Sequence, residues 1–342
     1  MNPISEIISD YTKSVALVPV LAMTGTLAII EALQAYFYYD KKELVGYADK
    51  IYLAPVRTTK MLSVKEWDIT KTGLKHNKCI AVYLKNPELS RLYGNTKLGS
   101  KLTSISTKFT DTSCQKLCLS CEGHQDLTIH LQTIASSERI YGLKFGELLS
   151  DNREYLRVGD EADKWMSAVL DGQPVSLLYI PNSKLSGNMN FPVYRASDGM
   201  PAAVPPVLIT SVSTLERMNT EAETNVEMER FRPNIVVKGC SSRAENFWKV
   251  IRIGSQLELE QIFMSPRCGV VNAFKGDLNK KVLDVVYKHG PFRDTKKRPC
   301  FGSYWKVLRP GKVEVGDKIV LLKSIDCEIT GPYHLSDDFI MG

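Results

Sequence analysis

The chain has 342 residues, of which 44% are hydrophobic and 24% charged, a balance that is ordinary for a folded protein of one large or two average domains. This composition excludes a disordered chain. The net charge of +6 is spread over 44 basic and 38 acidic side chains. A dedicated nucleic-acid-binding protein carries a concentrated basic face instead, so we expect no nucleic-acid partner.

The N-terminal region holds the longest apolar stretch of the chain. Residues 15–30 carry no charged side chain, and the apolar character continues past Glu31 to Tyr39. A span of about 25 residues is long enough to cross a bilayer. Two lysines follow it at once, which places the folded part of the chain on the cytosolic side. The alternative is a buried helix of a soluble domain, because a glutamate at membrane depth is costly.

Eight cysteines stand at irregular spacing. Secreted disulfide frameworks concentrate their cysteines in short domains, so this pattern indicates a reducing compartment. Cys114, Cys118, Cys121 and His124 have a loosely metal-like spacing. No second cluster completes a tetrahedral site, and residues 116–121 alternate as a strand does. We therefore interpret these cysteines as structural.

Beyond residue 45 the pattern is mainly that of strands. Short runs rich in β-branched and aliphatic residues are bounded by Gly, Pro, Asn or Asp, which is typical of strands and turns. These runs are 50–56, 79–84, 116–121, 127–134, 175–180, 206–210, 233–239, 249–254, 257–264 and 304–308. Helices are predicted at 159–172, 213–226 and 278–290, the second opening on a capping box from Ser213 to Glu216. Many strands with few helices indicate an α+β protein built around a barrel or strongly curved sheet.

One cysteine differs from the others in its setting. Residues 265–277 read SPRCGVVNAFKGD, and they place Cys268 on a predicted turn after a strand-like run, beside Arg267. A cysteine at a strand end can project towards a ligand, and a neighbouring cation favours the thiolate that soft metals bind. The alternative is an ordinary buried cysteine.

Three stretches of the chain carry a resemblance to a known family. They are IYLAPVRTTKMLSV at 51–64, ERFRPNIVVKGC at 229–240 and SPRCGVVNAFKGD at 265–277. In order and spacing they are similar to stretches of the MOSC proteins, and among these to the mitochondrial amidoxime-reducing components, over roughly residues 45–325.

The resemblance implies an organisation for the whole chain. The fold would be α+β, with a MOSC-type β-barrel domain, an N-terminal MOSC-associated β-rich domain and an N-terminal membrane helix. The expected boundaries are residues 1–42 for the membrane anchor, 45–175 for the N-terminal β-barrel-like domain and 176–342 for the MOSC domain.

The resemblance also implies a molybdenum cofactor. In the family a pyranopterin dithiolene gives the metal two sulfur ligands, and the cysteine matching Cys268 gives another, so Cys268 would be both the metal ligand and the catalytic residue. An arginine fork can hold the cofactor's terminal phosphate bidentately. Taken alone, Arg232 could equally be a surface ion-pair residue and Tyr304 a barrel-core residue. The expected cofactor-binding residues are Arg57, Thr58, Arg232, Asn234, Arg267 and Tyr304.

The chain departs from the family pattern at several positions. Arg57 and Thr58 replace a Lys-Ser pair and keep a cation and a hydroxyl, although arginine and lysine differ in reach and geometry. These departures bear on cofactor affinity and turnover rather than on the fold. The others are Lys78 at a family arginine, Val204 and Pro205 at a Thr-Ser pair, and Asn272, Ala273 and Lys275 at an aspartate, a proline and a threonine that follow the cysteine.

The activity implied by the resemblance is the reduction of small N-hydroxylated compounds such as amidoximes. Electrons would come from NADH through a reductase and a small b-type haem cytochrome. The location would be the mitochondrial outer membrane, with the catalytic domain in the cytosol. The basic stretch 288–306 is then either ordinary solvated surface or a docking site for an acidic cytochrome.

Two other functions stay open. One is a membrane-tethered pseudoenzyme that keeps the barrel and binds no metal. The other is a sulfur carrier, because related MOSC domains end the molybdenum-cofactor sulfurases and a cysteine can hold a persulfide. Pyridoxal phosphate binding is associated with the family through the desulfurase domain of those sulfurases, and we expect no such domain before residue 45.

Overall fold

The computed structural model describes residues 43–85, 97–140, 143–144, 150–151, 155–180, 207–293 and 297–325. The predicted membrane anchor at residues 15–39 lies outside these ranges. None of the helices within them has the length and apolar character needed to cross a bilayer. The described part of the chain is mostly β-structure with few helices, as the short apolar runs predict.

The strands differ widely in length, and the longest of them build one large sheet. In chain order they are β1 (Glu43–Leu53), β2 (Leu62–Val64), β3 (Glu66–Thr70), β4 (Gly73–Leu74), β5 (Ile80–Leu84), β6 (Ser106–Phe109), β7 (Lys116–Ser120), β8 (Leu127–His130), β9 (Arg139–Ile140), β10 (Leu143–Lys144), β11 (Ser150–Asp151), β12 (Tyr155–Arg157), β13 (Val175–Tyr179), β14 (Val207–Ser211), β15 (Ile235–Lys238), β16 (Trp248–Ile253), β17 (Leu257–Pro266), β18 (Ala273–Phe274), β19 (Asp277–Leu278), β20 (Phe292–Arg293), β21 (Pro299–Arg309), β22 (Gly311–Glu314) and β23 (Lys318–Ser324).

The helices of the described residues are short. They are α1 (Lys97–Ser104), α2 (Asp160–Val169), α3 (Val212–Glu221) and α4 (Lys281–His289), with 3-10 turns at Thr133–Ser136, Met228–Phe231, Ala244–Asn246 and Gly269–Asn272. The three predicted helices are thus confirmed as α2, α3 and α4, each shorter than predicted.

The start of α3 differs from the predicted capping box. The N-cap is Ser211 rather than Ser213, and its hydroxyl accepts a hydrogen bond from the backbone N of Thr214 at 3.3 Å. Strand β14 ends at the same serine, so the chain passes from strand to helix with no residue between them. The predicted box was wrong because Ser211, directly after the predicted strand 206–210, caps the helix in place of Ser213.

Seven strands close into a barrel. Their order is β14, β15, β1, β23, β16, β17 and β21, and β21 pairs back onto β14. Every neighbouring pair is antiparallel except β14 with β15. Successive side chains of a strand point to opposite faces, so alternate apolar residues fill the interior. That core includes Ile51, Ile209, Ile235, Ile253, Leu259 and Trp305.

Closure of the barrel depends on Gly302 in β21. Its φ is +76°, and a Cβ atom there would lie 2.5 Å from the carbonyl oxygen of Ile209 and 2.6 Å from Cγ2 of Thr210. Strand β21 pairs with β17 along one edge and with β14 along the other. Glycine at this position permits both the left-handed backbone and the close approach of β14.

A second hydrophobic core lies outside the barrel. The sheets β5–β13–β12–β9 and β6–β7–β8 surround it, and α1 and α2 contribute Leu102 and Met166. The N-terminal strand β1 nevertheless belongs to the barrel, and β3 pairs with β22 from the C-terminal half. The division of the chain into domains at residues 175 and 176 stays a prediction.

Candidate functional site

Cys268 stands at the end of a barrel strand. It lies between Pro266, the last residue of β17, and the 3-10 turn Gly269–Asn272. The residue is exposed, whereas Cys79, Cys118 and Cys300 are buried. The predicted position at a strand end is confirmed, and the alternative of an ordinary buried cysteine is wrong.

Arg267 fixes the backbone next to this cysteine. Its Nε donates to the carbonyl oxygen of Phe301 at 2.9 Å, and Nη1 donates to that of Phe231 at 2.9 Å. Nη2 also donates to the carbonyl of Phe301. The guanidinium carbon lies 5.5 Å from the centre of the Phe231 ring. Arg267 therefore ties the end of β17 to β21 and to the turn Met228–Phe231, while its charge stays beside Cys268.

Arg267 also belongs to a group of four basic side chains, Arg57, Lys78, Arg232 and Arg267, which we name the cation cluster. Burial first, and then the charges of the three arginines, lower the pKa of Lys78 to about 7. Burial also lowers the pKa of Arg267, while Tyr304, Cys300 and Cys268 oppose that shift. Arg267 is thus close enough to act electrostatically on both Lys78 and Cys268.

The backbone of the cation cluster is unusual. Thr58, Lys78 and Arg232 have φ values of 68°, 56° and 54°, in the left-handed region. That conformation is an outlier for a β-branched residue such as Thr58, and strained backbone concentrates at functional sites. Nη1 of Arg232 donates to the carbonyl of Thr58 at 3.5 Å, and the backbone N of Lys78 donates to Ala54 at 2.8 Å. These bonds join three separate loops at one place.

Asn234 has a different environment from the one that its predicted role requires. It is 1% exposed, its Oδ1 accepts from the backbone N of Leu208 at 3.0 Å, and its Nδ2 donates to the carbonyl of Tyr52 at 3.2 Å. Both ends of the amide bind the main chain of β14 or β1. Asn234 therefore holds two barrel strands together beside Arg232.

Tyr304 lies on β21, opposite Leu208 of β14 and Phe263 of β17. It is half-buried, its ring centre lies 5.2 Å from that of Phe263, and it acts electrostatically on Arg267. The tyrosine is thus both part of the barrel wall and a neighbour of the site.

Sequence reasoning missed two contributors to this site. Lys78 was considered only as a departure from the family pattern, and no local pattern places it among three arginines. Arg230 precedes the predicted site residues in ERFRPN, and its charge alone gave no signal.

Val204, Pro205 and Lys296 lie outside the described residues. Within the described residues, no group of three or more His, Cys, Asp or Glu side chains could hold a metal ion, and the structural role of Cys114, Cys118 and Cys121 stays a prediction.

Comparison with known proteins decides the family of this part of the chain. The family model for the MOSC domain matches residues 201–320. The chain contains a MOSC domain. It is 28% identical over 295 residues to mitochondrial amidoxime-reducing component 1 of Mus musculus, covering 81% of this chain and 83% of that protein. The counterpart of Homo sapiens is 27% identical with the same coverage. Residues 201–320 thus match the MOSC domain, and the predicted resemblance is confirmed.

Among solved structures, this chain is similar to the YuaD protein of Bacillus subtilis, with a TM-score of 0.36 and 10% sequence identity. The similarity covers 81% of this chain and 95% of the YuaD chain. None of these comparisons supports pyridoxal phosphate binding.

The chemistry of the site fits a cofactor that combines a soft metal with a phosphate. An exposed thiol is a suitable ligand for a metal already bound by sulfur. The positive charges of Arg57, Arg232 and Arg267 all act on Lys78, and an anion bound there would be attracted by the four cations together. Arg267 connects the thiol and the cation cluster.

Proposed function

We propose that this protein is a molybdenum-cofactor-dependent oxidoreductase that reduces small N-hydroxylated compounds. The observation that carries the proposal is an exposed cysteine, Cys268, that lies beside Arg267, whose charge also acts on Lys78 together with those of Arg57 and Arg232. The similar proteins of mouse and man are named amidoxime-reducing components, which supports the reaction class.

Each residue of the site has a role in this proposal. Cys268 would bind the metal through its thiolate, and Arg57, Lys78 and Arg232 would hold the phosphate. The bound cofactor supplies the two-electron reduction, and the protein supplies its position and surroundings. Because a nearby anion favours the protonated amine, Lys78 would be held in its charged form by a bound phosphate. Arg267, Asn234 and Tyr304 keep the barrel strands around the site in place.

The central test of this function is the variant Cys268→Ser. We expect the purified variant to lose molybdenum and amidoxime reduction, because a serine hydroxyl is a poor ligand for a soft metal. Cys114→Ser, a partly exposed cysteine outside the site, is the matched control and should keep both. Wild-type activity in Cys268→Ser would overturn the assignment.

We further propose that electrons arrive from a small b-type haem cytochrome and its NADH-dependent reductase. The location that goes with this partner is the mitochondrial outer membrane, with residues 15–39 as the anchor and the folded part in the cytosol. The apolar stretch and the names of the relatives support it. Alkaline carbonate extraction should leave the full-length protein in the membrane pellet, and protease added to intact mitochondria should remove the folded part. Release into the supernatant would contradict the anchor.

A sulfur-carrier function is the second candidate, and the exposure of Cys268 favours it, because a persulfide needs an accessible thiol. Intact-mass analysis after incubation with a cysteine desulfurase and cysteine would show one extra sulfur on the wild type and none on Cys268→Ser. Metal analysis of residues 43–342 separates the candidates: bound molybdenum favours the reductase, and its absence favours the sulfur carrier or a pseudoenzyme.

A further inference from the structure

The turn that follows Cys268 is held by a buried cation. Arg230 lies in the 3-10 turn Met228–Phe231, and its side chain is only 7% exposed. Its Nε pairs with Oε2 of Glu227 at 2.5 Å, so one side of the guanidinium is compensated by a carboxylate. A buried charge needs such a partner and further hydrogen bonds, and its position is correspondingly restricted.

The other side of Arg230 binds the turn Gly269–Asn272. Nη1 donates to the carbonyl oxygen of Asn272 at 3.2 Å and lies 3.5 Å from that of Val271. The guanidinium carbon lies 4.8 Å from the centre of the Phe274 ring, a cation–π distance. Arg230 thus contacts three residues within six positions of Cys268.

Asn272 transmits this contact to α4. Its carbonyl also accepts from the backbone N of Asn279 at 2.8 Å, and its Oδ1 accepts from the backbone N of Leu283 at 2.9 Å. The latter bond satisfies a donor in the first turn of α4 that has no partner within the helix. The turn after Cys268 is therefore fixed to α4 as well as to Arg230.

The two arginines enclose Cys268 along the chain. Arg267, directly before the cysteine, donates to the carbonyl of Phe231, and Arg230 binds the turn directly after it. Both contacts end on the same segment, Met228–Phe231, which leads into Arg232 of the cation cluster. One short segment therefore sets the position of the cysteine relative to the cations.

We propose that Arg230 is a positioning residue that fixes Cys268 by clamping the turn Gly269–Asn272. Phe274, two residues after Asn272, lies against Arg230, and Nζ of Lys275 is 4.8 Å from the same ring. The importance of the clamp for catalysis rests on the proposed function, whereas the clamp itself belongs to the protein without cofactor.

Hydrogen exchange of the protein without cofactor tests the clamp. In Arg230→Met we expect the amides of Val271 and Asn279 to exchange at least about tenfold faster, because their turn loses its charge-assisted contacts. Arg217→Met is the matched control: Arg217 is 52% exposed and pairs with Glu221 at 2.7 Å, and its loss should leave these amides unchanged. Unchanged exchange in Arg230→Met would overturn the proposal.

Two further variants keep the test decisive. Phe274→Leu leaves the ion pair of Arg230 intact and should raise the exchange rate of the same amides by a smaller factor. This variant decides the test if Arg230→Met does not fold. In that case, an unchanged exchange rate in folded Phe274→Leu would contradict the clamp. Arg230→Lys keeps the charge but lacks the planar guanidinium group, so the amides of Val271 and Asn279 should exchange more slowly than in Arg230→Met but faster than in the wild type. Molybdenum content is measured in parallel. Faster exchange in Arg230→Met with no molybdenum in the wild type would refute the proposed function and leave the clamp standing.

Discussion

At the scale of the residue, Lys78 destabilises the fold through its charge. Its pKa of about 7 lies well below that of a lysine in an unfolded chain, because the half-buried side chain is desolvated and lies near the charges of three arginines. The unfolded protein therefore binds more protons between pH 7 and 10.5, and stability rises with pH across that window. Below pH 7 the destabilisation is fully present.

This leads to a prediction for Lys78→Met. We expect the variant without cofactor to be more stable than the wild type at pH 7, by roughly 1 to 3 kcal/mol, with a difference that shrinks towards pH 10. Pyrophosphate should stabilise the wild type more than the variant, because the cation cluster loses a charge. Urea unfolding at several pH values, with and without pyrophosphate, measures both effects. A variant less stable than the wild type throughout would contradict this account.

His76 should impose a second pH dependence. It is 6% exposed and its ring centre lies 5.5 Å from that of Phe109. Burial lowers its pKa to about 4, with Lys75 adding to the effect and Asp111 opposing it. The contribution of neutral His76 to the free energy of unfolding is fully present above pH 6.5. It is lost as the pH falls towards 4, by about 3 kcal/mol in all. His76→Asn accepts the left-handed backbone and lacks this titration. The prediction would be refuted if the free energies of unfolding of the wild type and of His76→Asn fell by the same amount between pH 6.5 and 4.

Single residues also show how far the sequence leads. The setting of Cys268 was predictable, since a cysteine after a strand-like run and before a turn projects from the strand end. The hydrogen bonds of the Asn234 side chain could not be predicted, because the main-chain groups of Tyr52 and Leu208 that it binds come together only when the barrel closes. The same holds for Lys78, whose neighbours come from three distant segments.

At the scale of the element, closure of the barrel depends on the pairing of β21 with β14. We predict that Gly302→Ala destabilises the protein by roughly 3 kcal/mol or more, because the new methyl group would meet the backbone of Ile209. Gly123→Ala is the matched control: its φ is +79° and nothing lies within 4 Å of the added atom, so about 1 kcal/mol is expected. Chemical denaturation compares them, and equal losses would argue against a steric role for Gly302.

The sequence also predicts the elements unevenly. Runs of β-branched residues located β14, β15, β16 and β17 well, because local composition and burial agree there, but they covered only part of β1 and β21 and missed β23. The N-cap of α3 was misplaced by two residues, since Ser211 ends a strand and caps a helix at once. The one parallel pair of the barrel, β14 with β15, depends on long-range pairing that no local pattern specifies.

At the scale of the whole molecule, the basic stretch 288–306 leads from α4 to Tyr304. Lys288, Lys297 and Arg298 are exposed, whereas Lys306 pairs with Glu260 at 2.6 Å and adds less to the basic surface than its charge suggests. Lys296 lies outside the described residues. A basic surface close to the site would raise the encounter rate with an acidic cytochrome, an effect that salt screens.

Reversing Lys296, Lys297 and Arg298 to glutamate should therefore slow cytochrome-dependent turnover roughly tenfold at low ionic strength, and less at high salt. Turnover with a small chemical reductant should be little changed, which serves as the internal control. Equal loss of both activities would identify the stretch as structural, and loss of neither would mean that the donor docks elsewhere.

The position of β1 in the barrel has a consequence for the nascent chain. Its partners β15 and β23 begin at residues 235 and 318, so β1 leaves the ribosome long before either of them. At ~5 to 20 residues per second the wait for β15 alone is roughly 10 to 35 s, during which the edge of β1 that pairs with β15 is open to other strands, although β2 can already cover the end of the other edge. The barrel is completed only when the ribosome has released β23. A chaperone that binds extended apolar segments would find its target in β1 throughout that interval.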